Sequence, residues 1–270
     1  MIGAVVLHLR AVEPGKIPET QGRLLHAAFF QVLNSYSEEL AACIHDNARF
    51  KAFTVSELVA GQPVQRNHDF IYVKKGDSFC WRVTVLNDDL LQALTAIPFG
   101  YIIRIGSISM SVEDIMMSGD ENEAAGILDE NQLIAACLSV KQVKQIMFRF
   151  SSPVSFRSFK DDYPFPLPHL IFGSLADKWN LADMPVKFNR KEVCEAVSQL
   201  LPVSWTGKTE QVFLRTDRGI TGFVGEFSFK TDMLPLEKQQ MLLLLAQFSF
   251  FSGVGRLTGQ GLGQTFMRFQ

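Results

Sequence analysis

Five glycines fall within eleven residues near the end of the chain, in Gly253-Val254-Gly255-Arg256-Leu257-Thr258-Gly259-Gln260-Gly261-Leu262-Gly263. Glycine takes positive φ without steric cost and lets a backbone approach a ligand closely. Successive N–H groups in such a loop form a concavity for anions, and Arg256 adds a positive charge beside them. The chemistry that this stretch suits is contact with phosphate. Two familiar phosphate loops do not fit. A dinucleotide loop needs its glycines between a strand and a helix, with a βαβ unit following. Here an apolar, helix-like segment from Leu236 to Phe248 precedes them, and only Thr265 to Gln270 follows the loop. A Walker loop closes on Gly-Lys-Ser/Thr, which is missing. A plain turn into a final strand is the other reading of glycine content alone.

The composition narrows the setting. With 270 residues, 47% hydrophobic and 20% charged, the chain is long enough for two domains with sizeable cores. A net charge of −2 lacks the signature of a general polyanion binder, so any nucleic-acid site must be a local basic patch. The 23 Phe, against 4 Tyr and 3 Trp, are core material with a few able to stack on bases. Cys43, Cys80, Cys137 and Cys194 are scattered without a C-x-x-C pair, which reads as reduced thiols and not as a zinc site or disulfide framework. His8 and Arg10 interrupt the apolar start too early for a secretory signal, and the apolar run around Met241 to Ala246 is too short to span a bilayer. A soluble, cytoplasmic protein without a membrane partner is expected.

The elements that must position these residues follow from apolar periodicity. Residues 4–10 predict a strand, Gly22 to Leu33 a helix and Glu38 to Ile44 a shorter one. Phe53 to Leu58, Phe70 to Val73 and the alternating Ser78 to Leu86 predict strands. Asn87-Asp88-Asp89 starts a helix over Leu90 to Ile97, and Tyr101 to Met110 predicts one further strand. The pattern then repeats. Val143 to Phe150 is a strand ended by Ser152-Pro153, Pro166-Leu167-Pro168 starts a helix to Trp179, and Glu192 to Leu201 is helical. Gln211 to Thr216 and Ile220 to Phe229 form a hairpin, Leu236 to Phe248 a helix and Gln264 to Phe269 the last strand. The expected fold is α+β: two tandem ferredoxin-like (βαββαβ) domains, 1–140 and 141–270, the second carrying the glycine-rich loop. Their boundary is expected within the Asp120–Lys141 connection.

The order Gly-x-Gly-x-x-Thr-x-x-Gly-x-Gly, carried by Gly253, Gly255, Thr258, Gly261 and Gly263, resembles the C-terminal signature of the RAMP superfamily. More narrowly it resembles the CRISPR-associated endoribonucleases that cut repeat RNA into guide units. A second stretch, Phe148 to Arg157, is similar to the family's strand with a Ser/Thr-Pro step and a Phe-Arg pair; it leads to the Pro168–Asn180 helix ending in Trp-Asn. A third runs from Gly22-Arg23-Leu24-Leu25-His26 through Ile44-His45-Asp46 to Lys51-Ala52-Phe53-Thr54-Val55-Ser56. The tandem ferredoxin-like plan also matches the architecture of these enzymes.

The resemblance implies metal-independent cleavage of CRISPR precursor RNA within its repeats, with no cofactor, leaving a 2′,3′-cyclic phosphate and a 5′-hydroxyl. Histidine suits either proton transfer because its ordinary pKa lies near neutrality, and a lysine near the scissile phosphate stabilises developing charge. His45 and Lys51 occupy the positions that resemble the family's catalytic His and Lys. A helix-end cap and a solvated lysine are their other readings. His26, on the first helix, is a third catalytic candidate or a core histidine. Some members carry a Tyr fifteen residues before the His; here Phe30 stands there, without a hydroxyl. For RNA contacts the candidates are Gly253, Gly255, Arg256, Thr258, Gly261 and Gly263, with Arg149, Arg157 and Lys160; charges protecting a strand edge are the other reading of those last three. His8 and Arg10 share a strand face that could meet an RNA stem or simply be solvated. The partners implied are the precursor repeat and mature guide RNA, with other subunits of an effector complex admitted. A non-catalytic RAMP subunit that holds guide RNA and a ferredoxin-like scaffold without RNA are the rival functions.

Overall fold

The protein is described from a computed structural model over residues 1–47, 50–158, 161–215 and 218–270. Its first half runs β1 (Ile2–Ala11), β2 (Gly15–Pro18), α1 (Gly22–Tyr36), α2 (Glu38–Asp46), β3 (Phe53–Val55), β4 (Val59–Ala60), β5 (Phe70–Val73), β6 (Ser78–Val85), α3 (Asp88–Thr95), β7 (Ile102–Ile105), β8 (Ile108–Met116) and β9 (Gly126–Leu128). Alternation builds the sheet: Val5, Leu7 and Leu9 of β1 and Phe79, Trp81, Val83 and Val85 of β6 are buried on one face. The strands lie in the order β3-β6-β1-β8-β7. Taken with α1 and α3, the four strands β1, β3, β6 and β8 complete βαββαβ. Leu25, Ala28, Phe29, Val32 and Leu33, three or four apart, give α1 its buried stripe. Asn87 caps α3 by accepting from the Leu90 N–H at 2.9 Å. The single strand expected over Tyr101 to Met110 is instead the hairpin β7–β8, in which Gly106 supplies the positive φ (+63°) of the tight turn.

The second half runs α4 (Glu130–Ser139), β10 (Gln145–Val154), β11 (Phe156–Ser158), β12 (Asp161–Tyr163), α5 (Pro168–Leu181), α6 (Arg190–Val197), β13 (Leu201–Arg215), β14 (Arg218–Lys230), α7 (Leu236–Ser252) and β15 (Thr265–Phe269), with a 3-10 turn at Thr258–Gln260 before the last strand. The sheet order β13-β14-β10-β15 repeats the first domain's plan. Phenylalanine fills this core: Phe148 and Phe150 stack at 5.9 Å, and Trp179 meets Phe248 edge-on at 5.0 Å. Pro153 does not end β10 as expected. The register shifts between Phe150 and Val154, so a residue without an N–H sits inside the irregularity. β13 begins ten residues earlier than expected, at Leu201; Leu201, Val203 and Trp205 are exposed, so no buried alternation marked it. The chain is thus α+β with two ferredoxin-like domains.

Two compact units emerge, Met1–Ile127 with Gly259–Gly261, and Leu128–Thr258 with Leu262–Gln270. α4 goes with the second, where Gln240 Nε2 on α7 donates to the carbonyls of Leu138 (2.8 Å) and Val140 (2.9 Å). Among the described residues no helix is long and apolar enough to cross a membrane.

Candidate active site

In the first unit, α1 places His26 and Phe30 four residues apart and therefore on one face, with ring centroids 5.1 Å apart. α2 is capped by Ser37, whose side chain accepts from the Leu40 N–H, and carries His45 in its last turn. The His45 ring meets the edge of Phe30 at 5.7 Å. Phe53, at the start of β3, closes the group, 5.4 Å from His26 and 5.8 Å from Phe30. Phe30 thus contacts both imidazoles.

Lys51 completes the set through the backbone. Its ammonium donates to the carbonyls of Ile44 at 2.7 Å and His45 at 2.6 Å, capping the C-terminal end of α2. Burial lowers the Lys51 pKa, opposed by the nearby Asp46 carboxylate. His45 is open, three-quarters exposed at 75%, with Asp46 Oδ1 3.5 Å from its Nδ1. His26 is half-buried and its Nδ1 lies 2.7 Å from the Gly259 carbonyl oxygen. Burial lowers the His26 pKa; the Gly259 hydrogen bond raises it, and the positive charges of Lys51, His45 and Arg23 lower it further. The fold therefore brings His26, His45 and Lys51 together, and adds the aromatic frame Phe30 and Phe53.

The glycine-rich segment is distributed between the units. Gly259, Gln260 and Gly261 belong with the first. A Cβ on Gly22 would lie 1.9 Å from the Gln260 carbonyl oxygen, so only glycine fits at the start of α1. In the second unit the remaining glycines pack against protein. Gly255 (φ +76°) sits where a Cβ would meet the Ser155 carbonyl oxygen at 2.4 Å, and at Gly263 (φ +65°) it would meet that of Val254 at 2.0 Å. Backbone N–H groups of Gly253, Val254, Arg256 and Gly263 donate to carbonyls, and those of Gly255 and Gln264 to the hydroxyls of Ser174 and Ser152. This part of the loop uses its donors within the fold, which differs from the open anion concavity that glycine content suggested.

The described charged candidates in the second unit have protein neighbours. Arg256 pairs with Asp162 of β12, and the two side chains are 27% and 10% exposed. The Arg149 guanidinium lies over the Phe266 ring, 4.4 Å from its centroid. Arg157 is exposed on β11 opposite Asp162, and Lys160 lies outside the described residues. Thr258 is buried, and its hydroxyl accepts from Lys178 at 3.3 Å. Lys178 also donates to the carbonyls of Ser252 (2.9 Å) and Gly253 (3.0 Å), and burial pushes its pKa down to about 7. Sequence reasoning assigned Lys178 and Asp162 no role. A lysine among the apolar positions of α5 was the one available signal; Asp162 gave none. On β1, Arg10 is held by Glu113 of β8, 2.8 Å from Nη2.

Comparison with known proteins finds family models and solved structures that this chain resembles. The family model described as CRISPR Cas6 N-terminal domain matches residues 1–123, and that described as CRISPR-associated endoribonuclease Cas6 matches 148–265. A Thermus thermophilus Cas6 in its product complex is 29% identical, with a TM-score of 0.79 and coverage of 99% of this chain and 100% of that one. The same Thermus protein in another structure gives 28% identity and a TM-score of 0.73 over 99% and 98%. A further Cas6 product complex gives 25% and 0.75 over 100% and 99%. No curated protein matches.

Proposed function

The chain belongs to the Cas6 family of CRISPR-associated endoribonucleases, and from that premise we propose that it cuts CRISPR precursor RNA within its repeats to yield guide RNAs. The observation that carries the reading is the single Phe30 ring contacted by the imidazoles of both His26 and His45. Two such groups supply the two proton transfers of ribose-phosphate cleavage without a metal: one from the 2′-hydroxyl, one to the 5′-oxygen. Lys51, fixed beside them by the end of α2, supplies charge for the phosphorane. Attack of the 2′-oxygen on phosphorus leaves a 2′,3′-cyclic phosphate and a 5′-hydroxyl. Arg149, Arg157, Lys160 and Arg256 are the proposed phosphate contacts, with Gly253, Gly255, Thr258 and Gly263 shaping the loop that presents Arg256.

Incubating the protein with end-labelled repeat RNA from its host's array, in EDTA, tests the reading. Cleavage should persist and leave a cyclic phosphate. Activity lost in EDTA and restored by Mg²⁺ would overturn the proton-transfer mechanism. Tight binding of the repeat without cleavage would replace it with the guide-holding subunit.

A further inference from the structure

We propose that Gly259 is a positioning residue whose carbonyl holds His26 in the Nδ1–H tautomer, making His26 Nε2 the base for the attacking 2′-hydroxyl and leaving His45 as the acid for the 5′-oxygen. This division of labour rests on the endoribonuclease reading above.

A carbonyl oxygen carries no proton and can only accept. At 2.7 Å from the Gly259 oxygen, His26 Nδ1 must therefore be the donor. A neutral imidazole has one N–H, so once Nδ1 holds it, Nε2 keeps its lone pair. The neutral state is the one favoured at this site. His26 is half-buried between Phe30 and Phe53, and the charged groups around it, Lys51 and Arg23 with His45, oppose a second proton. Glu57 lies farther along, beside Gly261 and hydrogen-bonded to the Gln21 N–H at 3.3 Å.

The carbonyl is held as firmly as the ring. Gln260 lies against Gly22 at a distance that excludes a side chain, and Gly261 takes φ +92° with its Cβ direction 3.4 Å from the Gly22 Cα. Gly22 begins the same helix that carries His26 one turn later. A Cβ on Gly259 would itself reach the edge of Phe53 at 3.4 Å and His26 Nδ1 at 3.7 Å. Three consecutive residues, Gly259 to Gly261, thus act as a clamp on the base, a use of the glycine-rich signature distinct from holding phosphate. His45 differs: its ring is 75% exposed and open to solvent.

The step balances. The 2′-hydroxyl proton goes to His26 Nε2 as the 2′-oxygen bonds to phosphorus, the bond from phosphorus to the 5′-oxygen breaks, and His45 gives its proton to that oxygen. Solvent exchange then returns both rings to their starting states.

The roles separate by leaving group. After the cleavage position is mapped on ordinary repeat RNA, the scissile 5′-oxygen is replaced by sulfur, whose thiolate departs without an acid. In single-turnover reactions His45→Ala should lose ~10²–10⁴ in rate on the oxygen substrate and regain most of it on the sulfur one. His26→Asn, which keeps a donor at the Nδ1 position, should lose a similar factor on both. The opposite pattern, or rescue of both variants, overturns the assignment. Nitrogen-15 NMR of the RNA-free wild type should show His26 protonated at Nδ1 and bare at Nε2 near neutral pH; an Nε2–H tautomer overturns the clamp. If the wild type cleaves no repeat RNA, the endoribonuclease reading fails, and the NMR result still judges the clamp by itself.

Discussion

Phe30 contacts both imidazoles yet has no exchangeable proton, so in the proposed mechanism both proton transfers fall to the histidines. His26 has a folded pKa below the ordinary value of about 6.5. The sign follows from linkage: the unfolded chain binds this proton more readily, so the fold keeps its full stability above about pH 6.5 and loses it as the pH falls below. His26→Asn does not titrate. Wild-type stability should therefore drop relative to that variant as the pH falls below about 6.5 in urea titrations; parallel curves would refute the burial argument. A second residue-scale prediction concerns Arg256. Removing it strands Asp162, 10% exposed, at a cost on the order of 1–3 kcal/mol. Arg256→Ala should lower stability, and adding Asp162→Asn should recover much of it. If Arg256 also contacts RNA, affinity for the repeat stays weak in the double variant; recovered affinity would assign Arg256 to structure alone.

Among the elements, the glycine-rich segment separates into positions that pack against backbone and positions that have room. Gly255 and Gly263 direct a Cβ at carbonyl oxygens 2.4 and 2.0 Å away, whereas at Gly261 the nearest atoms are 3.4 and 3.6 Å away. All of them have positive φ, which by itself costs on the order of 1 kcal/mol for a side chain. Gly255→Ala and Gly263→Ala should thus destabilise clearly more than Gly261→Ala, as read by denaturation midpoints. Equal shifts would mean that the backbone around them relaxes. Weakened RNA binding in the first two variants would be secondary to unfolding, so they are poor probes of the ligand interface.

For the whole molecule, a net charge of −2 means that RNA must be met by a local set of cations. Each phosphate neutralised on a single strand contributes about 0.7 to the slope of log affinity against log salt. Replacing Arg149 and Arg157 together by Ala should therefore flatten that slope by roughly 1–2 if each arginine neutralises one phosphate. An unchanged slope would place the RNA on other cations.

What the sequence determined by itself is what local periodicity and short-range chemistry encode. β1 and β6 were legible from alternation, α1 from its apolar stripe and α3 from its Asn87 cap; the βαββαβ order and its repeat followed. His26, His45 and Lys51 were legible as candidates because their residue types suit proton transfer and charge stabilisation and because three stretches of sequence resemble one family. The hairpin turn at Gly106, the irregularity at Pro153 and the early start of β13 were not, since register and pairing depend on a partner strand distant in sequence. Only the tertiary structure decided that Phe30 contacts both imidazoles, that Lys51 caps α2, and that Asp162 meets Arg256. It also decided that the Gly259 carbonyl reaches His26, an interaction across 233 positions of chain. No pattern of neighbouring residues encodes it, because it exists only once packing has brought the two segments together.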